Sequence, residues 1–416
     1  MRIFKFGGAS VKDANGVRNV AKVLKTTGYD NTLVVISAMG KTTNSMELVI
    51  KSYFETKAAL PNAIHEVVKY HDSILKDLFT NDRHQVFTDV KALFEDLNLF
   101  FKTNKSPDYN FVYDQVIGYG ELISTTIVSH YFNEIGIKNQ WNDVREFIKT
   151  DNYYRHSNVN WEATQRNIAT HLEPSVLNIT QGFLGSDANN FTTTLGREGS
   201  DYTAAIFAYC LNASSVTIWK DVPGVLNADP RYFENAQLLN QISYREAIEL
   251  AFYGASVIHP KTLQPLQRKE IPLYVKSFLN PEANGTCVSK GKAIEPEIPC
   301  FIVKKNQTLI SLSSLDFSYI MEDNISDIFS LLHLYKMKVD VIQNSAISFS
   351  VCIENLYDNL EKLLQHLKAK FKVTCHQHVN LYTIRHYNDK VVDALEKDKT
   401  VLLKQLTQGT VQIVTN

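Results

Sequence analysis

Hydrophobic and polar positions along the first 280 residues alternate between two kinds of run. RIFKF (2–6) predicts a short strand that breaks at Gly7-Gly8, and Ser10 is placed to cap a helix carrying Val17, Val20, Ala21 and Leu24. TLVVIS (32–37) is continuously apolar, as a strand covered on both faces requires. A loop, AMGKTTN (38–44), precedes a helical stretch from about 45 to 105, and Val112 to Ile135 predicts a further helix. VLNITQGF (176–183), VTIWKD (216–221) and PLYVKSF (272–278) predict more strands, with helices over 200–211 and 244–255 among them. Strands alternating with helices predict a mostly parallel sheet between helical layers, an α/β fold.

The pattern changes at 280–299, where Gly, Pro and Lys accumulate and a strand-poor linker is expected. Beyond it, FIVKKNQTLISLSS is followed by a helix with Ile325, Ile328, Phe329, Leu332 and Tyr335 on one face. VDVIQN, the alternating AISFSVCI and a helix over 357–370 come next. The tail adds VNLYTIRHY, DKVVDALEK, TVLLKQL and TVQIVTN. The order β-α-β-β-α-β, partly repeated, predicts a ferredoxin-like unit and a shortened second copy. The expected domains are therefore 1–285, a linker at 286–300, and 301–416.

Composition narrows the function classes. The chain has 416 residues and a formal net charge of −1, so no global basic field attracts nucleic acid or an anionic membrane. No run reaches the roughly 18 apolar residues of a membrane helix, and with no apolar stretch in the first residues no secretory signal is expected. Five scattered cysteines fit reduced thiols in a cytoplasm better than a disulfide framework. CHQH (375–378) matches no standard zinc spacing and sits in a strand-like stretch, so no protein-held metal is expected.

Several segments carry candidate chemistry. In KFGG, Gly7 and Gly8 let the backbone approach a ligand and offer N–H groups to phosphate, with Lys5 as a point charge. An ordinary glycine turn with a solvated lysine fits KFGG equally. TLGREGSDYTAA (194–205) sets Arg197, suited to carboxylate or phosphate, before a helix that starts at Ser200-Asp201. There Asp201 could simply cap the helix. WKDVPGVLNADPR (219–231) ends a strand in Lys220-Asp221 and turns at Pro223-Gly224; a surface hairpin would read the same. Glu121, in the otherwise apolar GYGELIST, needs a partner, which an internal ion pair would also supply. His259-Pro260 reads as a helix–loop junction.

Taken together and in order, KFGGASV, SAMGKTTN, GYGELIST, TLGREGSDYTAA, WKDVPGVLNADPR and GASVIHPKTL closely resemble the aspartate kinases of the amino acid kinase superfamily. The resemblance spans residues 1 to about 280, and the tail is similar to that family's paired ACT domains. It implies ATP-dependent phosphorylation of the L-aspartate β-carboxylate, with Mg²⁺ carried on ATP. It implies further that Lys5 and Asp201 are catalytic. Phe6, Gly7, Gly8, Lys220, Asp221, Leu226, Arg231, Ser256 and Val257 would face ATP. Ser37, Thr43, Glu121, Arg197, Gly199 and Ser200 would bind aspartate. Ala9, Leu226 and Ser256 stand where the family usually has Thr, an aromatic residue and Lys, which is expected to weaken ATP affinity. In the tail, Asn324, Asp340 and Ser345 match positions that bind a lysine or threonine effector at an ACT–ACT dimer interface. The family's acidic residue after Ser345 is Ala346 here, so the expectation is a homodimer or higher homo-oligomer through the ACT region, with weak or absent lysine inhibition.

Overall fold

A computed structural model describes residues 1–255, 258–316 and 318–416. They divide into two compact units. The first comprises 1–225, 238–248 and 257–294; the second comprises 226–237, 249–256 and 295–416.

The first unit is built on an eight-stranded sheet. Its order is Asn139–Asn142, Leu177–Gln181, Thr32–Ile36, Arg2–Phe6, Ser215–Lys220, Leu273–Ser277, Thr286–Ser289, Gln241–Ser243. Neighbours run parallel except Leu273–Ser277 against Thr286–Ser289. Every residue of Thr32–Ile36 and Leu177–Gln181 is buried, the condition of strands covered on both faces. The strand Arg2–Phe6 lies between Thr32–Ile36 and Ser215–Lys220, so Lys5 issues from the middle of the sheet near its carboxyl end. In open parallel sheets that end forms the ligand crevice. One apolar core joins Phe4, Phe6, Val34 and Ile36 to Val17 and Val20 of the first helix and to Met46, Ile50 and Ile74.

Local details differ from the sequence pattern in three places. Ser10 does not cap the first helix: Gly8–Val11 is a 3-10 turn, and the helix Ala14–Thr27 is capped by Asp13, whose Oδ1 accepts the Gly16 N–H at 2.7 Å. The expected helix from 112 to 135 is two helices, Tyr109–Ile117 and Tyr119–Glu134, parted at Gly118. Segment 280–299 is not strand-poor, because Thr286–Ser289 joins the main sheet there. A short ribbon, Leu184–Ser186 with Thr192–Thr194, stands apart from that sheet.

The second unit contains a six-stranded antiparallel sheet. Its order is Lys338–Asn344, Ser348–Glu354, Cys300–Ser313, Lys372–Arg385, Thr410–Thr415, Val401–Thr407. Helices Glu322–Leu334 and Leu360–Lys368 pack Ile328, Leu332, Leu363 and Leu367 on Ile310, Leu312, Phe349 and Val351. The helix Asp389–Glu396 packs Val392 on Ile384, Val411 and Ile413. CHQH lies in the long strand Lys372–Arg385, and no group of three metal-ligating side chains occurs among the described residues.

Candidate active site

Lys5 leaves its strand one residue before the end, and its Nζ lies 2.6 Å from Asp201 Oδ1. Asp201 sits in the first turn of the buried helix Gly199–Leu211, whose N-terminal dipole favours negative charge. Both side chains are nearly closed to solvent, 12% and 4% exposed. The pair lines a cavity of about 520 Å³. Ser37, just past Thr32–Ile36, lines the same cavity, as do Glu121, Lys220 and Thr43, which lies in the first turn of the helix Thr42–Glu55 and not in the loop expected over 38–44. So do Arg197, Gly199 and Ser200. Nine of the residues singled out from sequence thus meet in one concavity, drawn from segments up to 215 positions apart.

Glu121 is the most perturbed acid of the group. Its Oε1 accepts the Ala38 N–H at 3.3 Å, while its buried Oε2 has no partner among the described residues. Burial pushes the carboxyl up to about 8, against the opposing pull of the Ala38 N–H and of Lys5. An orphaned carboxylate oxygen in a polar cavity is what an incoming ammonium group would satisfy. Arg197 is exposed and has no ion-pair partner among the described residues, so its planar fork is available to a carboxylate.

The remaining candidates lie elsewhere. Phe6 is fully buried and stacks on Trp219 at 5.9 Å, so its side chain is core. Gly7 and Gly8 adjoin the cavity by close packing. A Cβ on Gly7 would come within 3.3 Å of Lys5 Nζ, and one on Gly8 within 2.8 Å of the carbonyl oxygens of Ala38 and Gly40. Asp221 is exposed just past its strand. Leu226 and Arg231 belong to the second unit, where Arg231 pairs with Asp229 at 2.6 Å. Ser256 and Val257 lie outside the described residues. Asn324 Oδ1 accepts the Met321 N–H in a capping box, Ser345 Oγ meets Ser348 Oγ at 2.7 Å, and Asp340 pairs with Lys304 at 2.7 Å.

Sequence reasoning missed Tyr113, Arg155, His156, Phe183 and Glu198, which also line the cavity. Arg155, Phe183, Gly196 and Glu198 all hold φ between +54° and +80°. Non-glycine residues adopt that region rarely, and they concentrate where surrounding structure imposes it at functional sites. Asp114 anchors one of them: its carboxylate accepts the Arg155 N–H at 3.0 Å and both the N–H and hydroxyl of Thr194 at 2.8 Å. Burial pushes Asp114 up to about 6 despite those donors. A buried Asp in the apolar VYDQVI carries the same sequence signal as Glu121 and could have been found by it.

Comparison with known proteins agrees with this geometry. The model of the amino acid kinase family matches residues 1–277. Lysine-sensitive aspartokinase 3 of Escherichia coli (strain K12) is 32% identical over 363 residues, covering 85% of this chain and 78% of the relative. Aspartokinase 1 of Arabidopsis thaliana, a chloroplastic protein, is 32% identical over 373 residues, covering 85% of this chain and 63% of the relative. The solved structure of E. coli aspartokinase III with lysine and aspartate superposes with a TM-score of 0.84 at 28% identity, over 100% of this chain and 95% of that one. The same enzyme with aspartate and ADP gives 0.80 at 28% identity, over 100% and 96%. The chain therefore belongs to the amino acid kinase family, within its aspartokinase branch.

Proposed function

We propose that this chain phosphorylates the β-carboxylate of L-aspartate with ATP, giving 4-phospho-L-aspartate and ADP, the opening reaction of the aspartate route to lysine, threonine and methionine. The observation that carries the reading is the cavity itself, which joins the Lys5–Asp201 pair to a Glu121 oxygen and an Arg197 guanidinium that have no partner among the described residues. Aspartate has three charged groups, and the wall offers a complement to each. Glu121 takes the α-ammonium, Arg197 the α-carboxylate, and Lys5 lies between the β-carboxylate and the γ-phosphate. Ser37, Thr43, Gly199 and Ser200 line the remaining wall.

A carboxylate is already a nucleophile at neutral pH, so the reaction needs no general base and no covalent enzyme intermediate. What it needs is in-line positioning and neutralisation of two approaching anions. Lys5 supplies the charge, and Asp201 holds Lys5 in place. Lys220 and Asp221 would bound the nucleotide, together with the backbone at Phe6, Gly7 and Gly8. Leu226, Arg231, Ser256 and Val257 are carried over from the family for the same role. Magnesium would ride on the ATP phosphates: the carboxylate nearest Lys5 is already committed to it, and the described residues group no three metal-ligating side chains.

Residues 1–285 are proposed as the catalytic domain and 301–416 as the paired ACT region, with homodimerisation through that region in a cytoplasmic enzyme. No described helix is long and apolar enough to cross a membrane. Lysine inhibition is proposed to be weak. Asn324, Asp340 and Ser345, the effector candidates, each already have an internal partner, and Asp340 is held by a lysine of the chain itself.

The test is hydroxamate formation from Mg-ATP, L-aspartate and hydroxylamine, beside Lys5→Ala. Aspartyl hydroxamate that disappears in the variant supports the reading. No hydroxamate from folded wild-type protein at high ATP rejects it.

A further inference from the structure

The proposed reaction leaves one fixed cation of the cavity without a task. Arg155 lines the wall, and its guanidinium is not among the ion-paired or hydrogen-bonded groups of the described residues. It is nevertheless held in place. The guanidinium carbon sits 4.4 Å from the centre of the Tyr113 ring and 5.8 Å from that of Tyr109. The backbone N–H is donated to both oxygens of Asp114, at 3.1 and 3.0 Å. The residue adopts φ +72°, a strained conformation for a residue that carries a Cβ. A cation stacked on an aromatic face keeps its five donors in a set plane and loses little freedom when it binds.

Its position relative to Arg197 follows from the packing. Asp114 ties the Arg155 backbone to Thr194, three residues before Arg197, and Ser157 N–H donates to the Thr194 carbonyl at 3.0 Å. Gly196, adjacent to Arg197, approaches closely enough that an added Cβ would lie 3.3 Å from the Arg155 carbonyl oxygen. Segments 155–157 and 194–197 therefore form one rim of the cavity. Asp201 and Glu121 are buried, Lys5 and Arg155 are half-buried, and Arg197 is exposed.

We infer that Arg155 is a second ligand for the α-carboxylate of the amino acid substrate, on the same rim as Arg197, and so a specificity-determining residue for α-amino acids with an unmodified α-carboxylate. The inference rests on the aspartate reading above. With the ammonium at Glu121 and the reacting carboxylate at Lys5, the α-carboxylate is the group left for the rim. Arg197 alone would have to be ordered from solvent on binding, while the stacked Arg155 is already in place. Asp114 and Tyr113 act through Arg155 as positioning residues.

The experiment measures kcat/KM of wild type and Arg155→Gln with two substrates, L-aspartate and L-isoasparagine, whose α-carboxylate is a neutral carboxamide. Arg155→Gln keeps the backbone bonds to Asp114, and Arg155→Gly, which accepts positive φ, serves if the first variant does not fold. Expected is a fall of tenfold or more in kcat/KM for aspartate, carried by KM with kcat within twofold, and a change under twofold for isoasparagine. An equal loss on both substrates, a loss carried by kcat, or no loss on aspartate overturns the assignment. Wild-type turnover of aspartate in the same assay reports separately on the underlying reading. Should that turnover be absent, calorimetric affinities of the two ligands for both proteins give the same comparison.

Discussion

Lys5 Nζ and Asp201 Oδ1 lie 2.6 Å apart at the point where the central strand meets the N-terminus of the helix Gly199–Leu211. This pair sets how each partner should respond to mutation. Removing the cation by Lys5→Ala eliminates charge neutralisation at the transferred group, and kcat should fall by about 10³ or more. Asp201→Asn keeps the shape but releases Lys5, so kcat should fall by about 10², with a smaller change in KM for aspartate. Steady-state kinetics on both variants checks the ranking; a larger loss for Asp201→Asn than for Lys5→Ala would contradict it.

Glu121 couples substrate binding to protons. Burial holds its carboxyl at about 8, so at pH 7 the empty site is mostly protonated. An ammonium group bound at that carboxyl favours the ionised form, so aspartate binding at pH 7 should release close to one proton. Calorimetry at pH 7 in buffers of different ionisation enthalpy reads the number directly, and the affinity for aspartate should rise from pH 6.5 to 8.5. Zero proton release would separate Glu121 from the ammonium.

The same group gives a stability prediction. Folding raises its pKa above the ordinary 4.5, so the folded chain binds the extra proton between these values. The stability this contributes is full below about 4.5 and is lost as pH rises through about 8. Glu121→Gln cannot ionise, so it should melt a few degrees higher than wild type at pH 8.5 and near wild type at pH 5, while raising KM for aspartate about a hundredfold.

Much of this site was legible because its parts are contiguous. A strand running into Gly-Gly, an Arg followed by a helix start, and an acid in an apolar helix are each readable within a dozen residues. The parts that escaped are those that only the fold assembles. Arg155 and Phe183 take positive φ without being glycine, so no local signal marks their turns. Tyr113 reads as one more apolar position of its helix. Thr286–Ser289 is a four-residue strand whose partners lie 40 or more positions away for Gln241–Ser243 and about a dozen for Leu273–Ser277, and no periodicity survives in so short a run. The grouping of 226–237 with 295–416 rests on contacts such as Phe301 N–H with the Asn227 carbonyl, 74 positions away, and took the last part of WKDVPGVLNADPR with it.

Lys304 and Asp340 pair at 2.7 Å with only 15% and 6% of their side chains exposed. Breaking such a pair strands a buried charge. Asp340→Ala should therefore cost the second unit about 3 kcal/mol, seen as a lower denaturation midpoint. Lysine at submillimolar concentration should leave the activity of the wild-type chain nearly unchanged, since the carboxylate is already matched. Strong inhibition in that range would show that free lysine finds other partners.

Gly7 and Gly8 separate packing from chemistry. A Cβ on Gly8 would lie 2.7 Å from the Gly40 carbonyl oxygen and 2.8 Å from that of Ala38, both backbone atoms that cannot step aside. Gly8→Ala should push the 38–40 loop away and lower stability by about 1–3 kcal/mol, with activity falling as the aspartate-side wall moves. A Cβ on Gly7 meets only Lys5 Nζ, at 3.3 Å, and the backbone there, φ −81° and ψ 172°, suits any residue. Gly7→Ala should leave the denaturation midpoint within about 0.5 kcal/mol of wild type. It should nonetheless cut kcat about tenfold, because a displacement of a few tenths of an ångström at Lys5 disturbs the in-line geometry. Denaturation curves and kinetics on the two variants together decide the matter. If Gly7→Ala loses stability and keeps its rate, Lys5 tolerates displacement and the charge it supplies is not position-critical.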